Sequence, residues 1–114
     1  MEVWGGNIAA ESGISMHGID AWLYSQPYHG EASGGDIHYV SMCGEGRIAR
    51  FVLADVAGHG TAVDDLALDL RTLMRKHVGT PDQTRFARAL NRAFGRLSKN
   101  GIFATAALAV IGLR

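Results

Sequence analysis

Two strand-like runs separated by a short glycine turn constrain the fold of this chain more than any other feature. Residues 36–42, DIHYVSM, carry β-branched and aromatic side chains at strand spacing, and residues 47–55, RIARFVLAD, form a second, more apolar run. The connection between them, residues 43–47, holds two glycines around Glu45. Because so short a connection favours antiparallel pairing of the strands that it joins, the sequence predicts a β-hairpin.

Two segments with helical periodicity follow this hairpin. Apolar side chains recur at helical spacing from Thr61, which we expect to be the N-cap, to a stop at Gly79. The sequence TPDQ then predicts a second helix, with Thr80 as its N-cap and with Asn100-Gly101 as its stop signal. Since neither helix can bury its apolar stripe alone, we expect both to pack on one face of a sheet.

Further strands are predicted on either side of this unit. Residues 19–26, IDAWLYSQ, alternate as a strand does and end at Pro27. Residues 102–113, IFATAALAVIGL, are almost continuously apolar, which predicts a central strand buried on both faces. Residues 1–18 show no period and are expected to form an irregular segment before a folded domain at 19–114. The predicted fold class is therefore α+β, with an antiparallel sheet in the order β-ββ-αα-β.

The composition fits one small packed domain. The 114 residues are 47% hydrophobic and 19% charged, and the four tryptophan and phenylalanine positions that we expect in the core are Trp4, Trp22, Phe86 and Phe94. Eleven basic and eleven acidic residues give no net charge, so charge provides no argument for binding nucleic acid or an anionic membrane. The single cysteine, Cys43, excludes an intrachain disulfide, and residues 1–12 lack the pattern of a secretory signal. We therefore expect a cytoplasmic protein.

Two acids stand where the predicted hairpin brings chemistry together. Asp36 follows Gly34-Gly35 at the start of the first strand, and Asp55 closes the second strand at a nearly equal distance from the turn. Antiparallel pairing therefore predicts that both carboxylates lie at the same edge of the sheet. Adjacent carboxylates repel each other, so one takes a proton or the two share a cation, and Mg²⁺ and Mn²⁺ prefer such oxygen ligands. The alternative interpretation is that each aspartate caps a local turn, which is ordinary for Asp beside Gly.

The sequence also resembles a known family in residues 19–111. GGDIHYV followed by LADVAGHG, an amphipathic helix and FATAALAVI is similar to the bacterial PP2C-type (PPM) metal-dependent Ser/Thr phosphatases, in the SpoIIE/RsbU-like branch. The resemblance implies the N-terminal half of a PP2C-like sandwich and a hydrolase of bacterial signal transduction. In such a protein phosphatase, water activated by two Mn²⁺ or Mg²⁺ ions attacks a phosphoserine or phosphothreonine. The implied partner is a phosphorylated regulatory protein, such as an anti-sigma-factor antagonist.

The same resemblance implies roles for individual residues. Asp36 would bind one metal, Asp55 would bridge both metals, and the backbone carbonyl of Val56 would complete the site. His59 would act either as a general acid or as a structural turn residue. The remaining positions would shape the site by giving backbone clearance and a tight turn into the helix, and they are Gly35, Gly58 and Gly60.

A departure from the family pattern keeps other functions open. Family members carry a later TDG-like motif whose aspartate completes the metal site, whereas beyond residue 70 the only acid here is Asp82. The alternative to an active enzyme is therefore a catalytically incomplete module that binds a partner or self-associates. A homodimer would form through an open sheet edge or by exchange of elements. A nucleotide-binding domain is a third reading, but the chain has no G-x-G-x-x-G or Walker pattern.

Overall fold

A computed structural model describes residues 2–6, 9–27, 33–43, 46–58, 60–98 and 101–112 of the chain. These residues form six strands and two helices. In chain order they are β1 (Glu2–Gly6), β2 (Ala10–Met16), β3 (Ile19–Ser25), β4 (Asp36–Cys43), β5 (Ile48–Val56), α1 (Thr61–His77), α2 (Gln83–Leu97) and β6 (Ala104–Gly112).

The strands form two antiparallel sheets. One sheet has four strands in the order β1-β4-β5-β6, and the other consists of β2 and β3 alone. Both helices pack on one face of the larger sheet, and the β2–β3 hairpin packs on its other face. The α+β class, the antiparallel pairing and the placement of both helices on one face are therefore confirmed. The strand predicted at residues 19–26 does not belong to the same sheet as the hairpin, because it pairs only with β2.

The main core lies between the helices and the larger sheet. Tyr39 and Val52 are buried on the sheet side, and Met74 of α1 and Phe86 of α2 are buried against them. Burial of each such side chain stabilises the fold by about 1.5–3 kcal/mol. Successive strand residues point to opposite faces. The strand residues that alternate with Tyr39 and Val52 therefore point toward the β2–β3 hairpin instead.

Both predicted helices are present, but their N-caps differ from the prediction. α1 is capped by Gly60, which has a φ of 102°, and Thr61 is its first residue. α2 is capped by Asp82 rather than Thr80, because the Asp82 carboxylate accepts a hydrogen bond of 2.9 Å from the backbone N–H of Arg85. That N–H has no partner within the helix, which is why an aspartate is favoured at this position.

The prediction of an irregular segment at residues 1–18 is wrong. β1 pairs with β4, from Glu2 opposite Ser41 to Gly6 opposite Ile37, and β2 pairs with β3. Glycine and serine dilute the alternation of these strands, so that sequence periodicity does not reveal them. Gly13 in β2 has a packing reason, since a Cβ there would lie 2.6 Å from the ring of Trp22.

The prediction of a buried central strand at the end of the chain is also wrong. In the described part of the chain, β6 is an edge strand that pairs only with β5. Most of its side chains are exposed, Val110 and Ile111 among them. Continuous hydrophobicity measures how apolar a strand is, and it carries no information about the number of neighbouring strands.

Two of the four predicted core aromatics are exposed. Phe86 is fully buried and Phe94 is partly buried against the main core, as predicted. Trp22, in contrast, is 69% exposed, and Trp4 is exposed with the Arg71 guanidinium 4.4 Å from the centre of its ring. A cation stacked on an indole makes a favourable contact at a surface, which a size-based assignment to the core does not consider.

Candidate metal site

The hairpin register places the two predicted acids directly opposite each other. β4 and β5 pair antiparallel, and Asp36 and Asp55 are Cα partners in this ladder. Side chains of directly opposed residues lie on the same face, with their Cβ atoms about 4.5–5.5 Å apart. The prediction that hairpin pairing brings both carboxylates to one edge of the sheet is therefore confirmed.

The two carboxyl groups influence each other electrostatically. Partial burial is the largest cause that raises the pKa of Asp36 above its ordinary value of 3.8, and a hydrogen bond to Asp55 and repulsion by the charge of Asp55 raise it further. The pair therefore holds a proton at a pH at which an isolated aspartate would already be ionised. A bound cation can replace such a proton, because it relieves the same repulsion.

Beside this pair of aspartates, the backbone segments at Gly35 and Val56 approach each other closely. The N–H of Val56 donates a 3.0 Å hydrogen bond to the carbonyl oxygen of Gly35, the residue before Asp36. A Cβ at position 35 would lie only 2.4 Å from the carbonyl oxygen of Val56 and 3.1 Å from Val63. Only glycine permits this approach, which places the Val56 oxygen against Gly35, next to the Asp36–Asp55 pair.

A contact from α1 holds Ser33, three residues before β4. The hydroxyl group of Ser33 donates a hydrogen bond to the carboxylate of Asp64 in the first turn of α1. Gly58 and Gly60 have φ values of 95° and 102°, in the left-handed region that favours glycine, and they turn the chain from β5 into α1. The predicted His59 lies between them, outside the described residues.

A cleft of about 570 Å³ opens at the acid pair. One wall is the end of β3 with Gln26, and the opposite wall is the exposed face of β5 and β6. Asp36 and Asp55 lie among its polar lining, whereas Leu53 and Ala107 give it an apolar wall. The arrangement combines a pair of interacting carboxyl groups with an open surface that can accommodate part of a larger molecule.

The larger sheet contributes to this cleft two polar residues that were not predicted as site residues. His38, on β4, is buried, and this burial together with the positive charge of Arg71 lowers its imidazole pKa, so that the neutral form is favoured. Thr105, on β6, is the Cα partner of Asp55. The signal for Thr105 was present in the sequence, because it is the one hydroxyl-bearing residue in an otherwise apolar strand.

The donor atoms at this end of β4 and β5 suit a hard divalent cation. The carboxylates of Asp36 and Asp55 and the carbonyl of Val56 are oxygen donors, the type that Mg²⁺ and Mn²⁺ prefer. Within the described ranges, no group of three or more His, Cys, Asp or Glu residues could hold a metal ion. Two carboxylates and one carbonyl would leave several of the ligand positions of such a cation to water, which Mg²⁺ commonly keeps.

Comparisons with protein-family models, with curated proteins and with solved structures found no match to this chain. Neither helix in the described part of the chain is long and apolar enough to cross a membrane.

Proposed function

We propose that this chain is the N-terminal part of a PP2C-type, SpoIIE/RsbU-like protein serine/threonine phosphatase domain that depends on Mn²⁺ or Mg²⁺. The observation that carries this proposal is the direct cross-strand pairing of Asp36 with Asp55. Two facing carboxyl groups, one of which resists ionisation, are costly in a protein without a cation to share. The glycines around them further support the proposal, because they clear the backbone at the same point.

Each residue of the site would contribute a separate part of the chemistry. The metal, when bound, would supply positive charge that neutralises phosphoryl oxygens and activates water. Asp36 and Asp55 would hold it through their carboxylates, and the Val56 carbonyl would be a further donor. Gly35 would keep this carbonyl accessible, because any side chain at position 35 would collide with it. In this proposal His59 remains either a general acid or a turn residue.

The cleft supports a protein substrate rather than an enclosed small molecule. It opens to solvent, and the apolar wall with Leu53 and Ala107 continues from the acid pair along β5 and β6. A phosphoserine or phosphothreonine would reach the carboxylates while the flanking residues contact this wall. We propose a phosphorylated regulatory protein of a bacterial signalling pathway as the substrate, such as an anti-sigma-factor antagonist, with the cytoplasm as the place of action.

The decisive experiment measures metal binding and turnover separately. The purified chain is heated with and without Mn²⁺, and hydrolysis of p-nitrophenyl phosphate and of a phosphoserine peptide is followed. We expect Mn²⁺ to raise the melting temperature and to support turnover, and Asp55→Asn to abolish both effects. Asp69→Asn is the matched control, since it neutralises an exposed carboxylate on α1 that lies outside the cleft lining. A wild-type chain without turnover and without a Mn²⁺-dependent melting shift would refute the proposal.

A second candidate function is self-association, and the exposed edge of β6 favours it. The nine residues of β6 contain no proline and no charged side chain, the usual features that prevent pairing between exposed edges. Val110 within β6 and Phe103 just before it are exposed as well. In this reading, the chain is a catalytically incomplete phosphatase-like module that forms a homodimer through this edge or by exchange of elements.

Light scattering after size exclusion tests this second candidate. We expect the wild-type chain to show a dimer mass that falls on dilution, and Val110→Lys to shift the protein to a monomer because a lysine on an edge strand opposes pairing. Thr72→Lys, which places the same charge on the exposed side of α1, is the control and should leave the mass unchanged. A wild-type monomer at every concentration would contradict both edge pairing and element exchange.

A further inference from the structure

The charges of this chain are separated along the sequence, although they cancel in total. Ten of the eleven acidic residues lie in residues 1–70, and nine of the eleven basic residues lie in residues 71–114. Beyond residue 70 the only acid is Asp82, the N-cap of α2. A net charge of zero is therefore compatible with a strongly charged surface, and an asymmetry of this kind favours interaction with a charged partner.

Four of these basic residues form one row on the exposed side of α2. Each is three or four residues from the next, so that all four share one side of the helix, and each is exposed to solvent: Arg85, Arg88, Arg92 and Arg96. The row is about 16 Å long, because an α-helix rises about 1.5 Å per residue. A different side of α2 packs into the main core through Phe86, Leu90 and Ala93.

This row lowers the stability of the helix that carries it. Like charges three or four residues apart repel each other, and Arg85 lies in the first turn, at the positive end of the helix dipole. α2 has no acidic residue in its first turn, whereas α1 has Asp64 there and has basic residues in its last turn. The charges of α1 thus follow the helix dipole, and those of α2 do not.

Other arginines of the molecule have structural partners. Arg50 donates hydrogen bonds to two backbone carbonyls, and Arg71 and Arg75 lie 4.4 Å and 5.2 Å from the centre of the Trp4 ring. In the described part of the chain, the four guanidinium groups of the α2 row make no hydrogen bond, ion pair or ring contact. Internal contacts therefore do not account for the row, and a local rule broken without a compensating gain is typical of functional positions.

We propose that the arginine row of α2 is a docking surface for an acidic α-helix of a partner protein. A guanidinium binds a carboxylate through two parallel hydrogen bonds, which favours Glu and Asp as partners of the row. Carboxylates four residues apart on a second helix repeat about every 6 Å along its axis, in step with Arg88, Arg92 and Arg96. The row and the acid pair lie on opposite sides of the larger sheet, so this inference is independent of the proposed metal site.

A nucleic acid suits this surface less well than an acidic helix. Proteins that bind single strands combine basic side chains with exposed aromatic rings on which bases stack. Both aromatic residues of α2, Phe86 and Phe94, pack against the main core instead. A long polyanion is also repelled by the acids that dominate residues 1–70, whereas a partner helix of about twelve residues spans the row and ends with it.

Binding of a designed acidic peptide tests the proposal. The probe is a fluorescein-labelled, alanine-rich helical peptide with glutamate at every fourth position, and its fluorescence anisotropy is followed on titration with the full chain at low and at moderate salt. We expect binding that weakens as the salt concentration rises, because salt screens exposed charges. A peptide of the same composition, with its glutamates spread over all sides of the helix, should bind about tenfold more weakly.

Charge reversal within the row separates binding from folding. Arg92→Glu places a carboxylate four residues from both Arg88 and Arg96, so we expect it to weaken peptide binding about tenfold or more and to raise the melting temperature. Arg47→Glu makes the same charge change at the β4–β5 turn and is the matched control, which should bind the peptide as the wild type does.

Three results would overturn the proposal. The first is a wild-type chain that does not bind the peptide at low salt, and the second is equal peptide affinity in Arg92→Glu and Arg47→Glu. The third is tighter binding of the wild-type chain to a single- or double-stranded oligonucleotide, or to vesicles of anionic phospholipid, than to the peptide. That result would assign the row to a different class of anionic partner.

Discussion

The two faces of the four-stranded sheet differ in how completely they are covered. On the helix face, Tyr39, Val52 and Val56 are fully buried beneath α1 and α2. On the opposite face, the β2–β3 hairpin covers Val40 and Ala49 but leaves Leu53 54% exposed next to the acid pair. Because strand residues alternate between faces, β4 and β5 contribute at once to a closed core and to an open cleft.

Charged residues on the two faces also differ in how completely they are covered. Arg50 on the helix face is only 5% exposed, and its guanidinium donates 3.0 Å hydrogen bonds to the carbonyls of Val78 and Pro81 in the α1–α2 connection. It also lies 4.4 Å from the centre of the Phe86 ring. The carboxyl group of Asp36, in contrast, is exposed in the cleft and interacts with another carboxyl group. Arg50 is thus a buried charge with complementary partners, whereas Asp36 lies beside a carboxyl group whose charge repels its own.

Among the variants that test this difference between the faces, Phe86→Ala is expected to change the free energy of unfolding most. Phe86→Ala removes a fully buried ring from the helix-face core, and such changes lower the free energy of unfolding by about 3–5 kcal/mol. Leu53→Ala, on the open face, is expected to cost less than about 0.5 kcal/mol, as surface changes usually do. Urea unfolding of the two variants checks the contrast. Equal losses would show that the open face is covered in solution.

Removal of Arg50 should have the next largest effect. Arg50→Met keeps the apolar stem but leaves the Val78 and Pro81 carbonyls without their donor, and a hydrogen bond to a charged group contributes about 1.5–3 kcal/mol. We expect a loss of about 2–4 kcal/mol in unfolding free energy, with the metal affinity of the folded protein unchanged. Loss of Mg²⁺ binding in a folded Arg50→Met variant would mean that the two faces are coupled.

On both faces, the features that depend on local sequence were the easier ones to predict. The spacing of Leu66, Leu70 and Met74 fixes one stripe of α1, and the hairpin turn alone determines that Asp36 meets Asp55. Both results depend on local sequence, since periodicity and turn length act over a few residues.

The features that the sequence did not reveal depend on contacts between distant segments. β6 is apolar enough for a central strand, but its position at an edge is decided by which strands pair with it. β1 is recognised only through its pairing with β4, because its short sequence contains two glycines. Thr105 was overlooked for the same reason, since its place beside Asp55 requires the β5–β6 register.

A methyl group at Gly35 should disturb the acid site more than the core. Gly35→Ala places a Cβ 2.4 Å from the Val56 oxygen, so the backbone must shift, at a cost of about 1–3 kcal/mol in unfolding free energy. We also expect weaker Mg²⁺ binding, because the shift moves Val56 relative to Asp36. Gly95→Ala is the matched control: it lies in α2 with open space around its Cβ, and it should stabilise the protein by about 0.5–1 kcal/mol. If Gly35→Ala binds Mg²⁺ as tightly as the wild type, the carbonyl has no role in the site.

The smallest expected effect comes from neutralising Asp36, and its sign is opposite to that of Phe86→Ala, Arg50→Met and Gly35→Ala. Folding raises the pKa of Asp36 above its ordinary value of 3.8. Between the ordinary pKa and the folded pKa, the folded state therefore holds more protons at Asp36 than the unfolded state does. Stability must therefore fall as the pH rises through the folded pKa. Asp36→Asn removes this dependence, and we expect the metal-free variant to be slightly more stable than the wild type at pH 7.

Urea unfolding at several pH values checks this last expectation. The advantage of Asp36→Asn over the wild type should shrink as the pH falls below about 4, where the wild-type carboxyl group is protonated in both states. With Mg²⁺ present at pH 7 the order should reverse, because the cation stabilises only a protein that retains both carboxylates. A variant that is less stable than the wild type in metal-free buffer at pH 7 would show that the acid pair belongs to the structure. A metal-free Asp36→Asn variant that is more stable than the wild type would show that the acid pair lowers the stability of the folded protein, as expected of a site that serves binding.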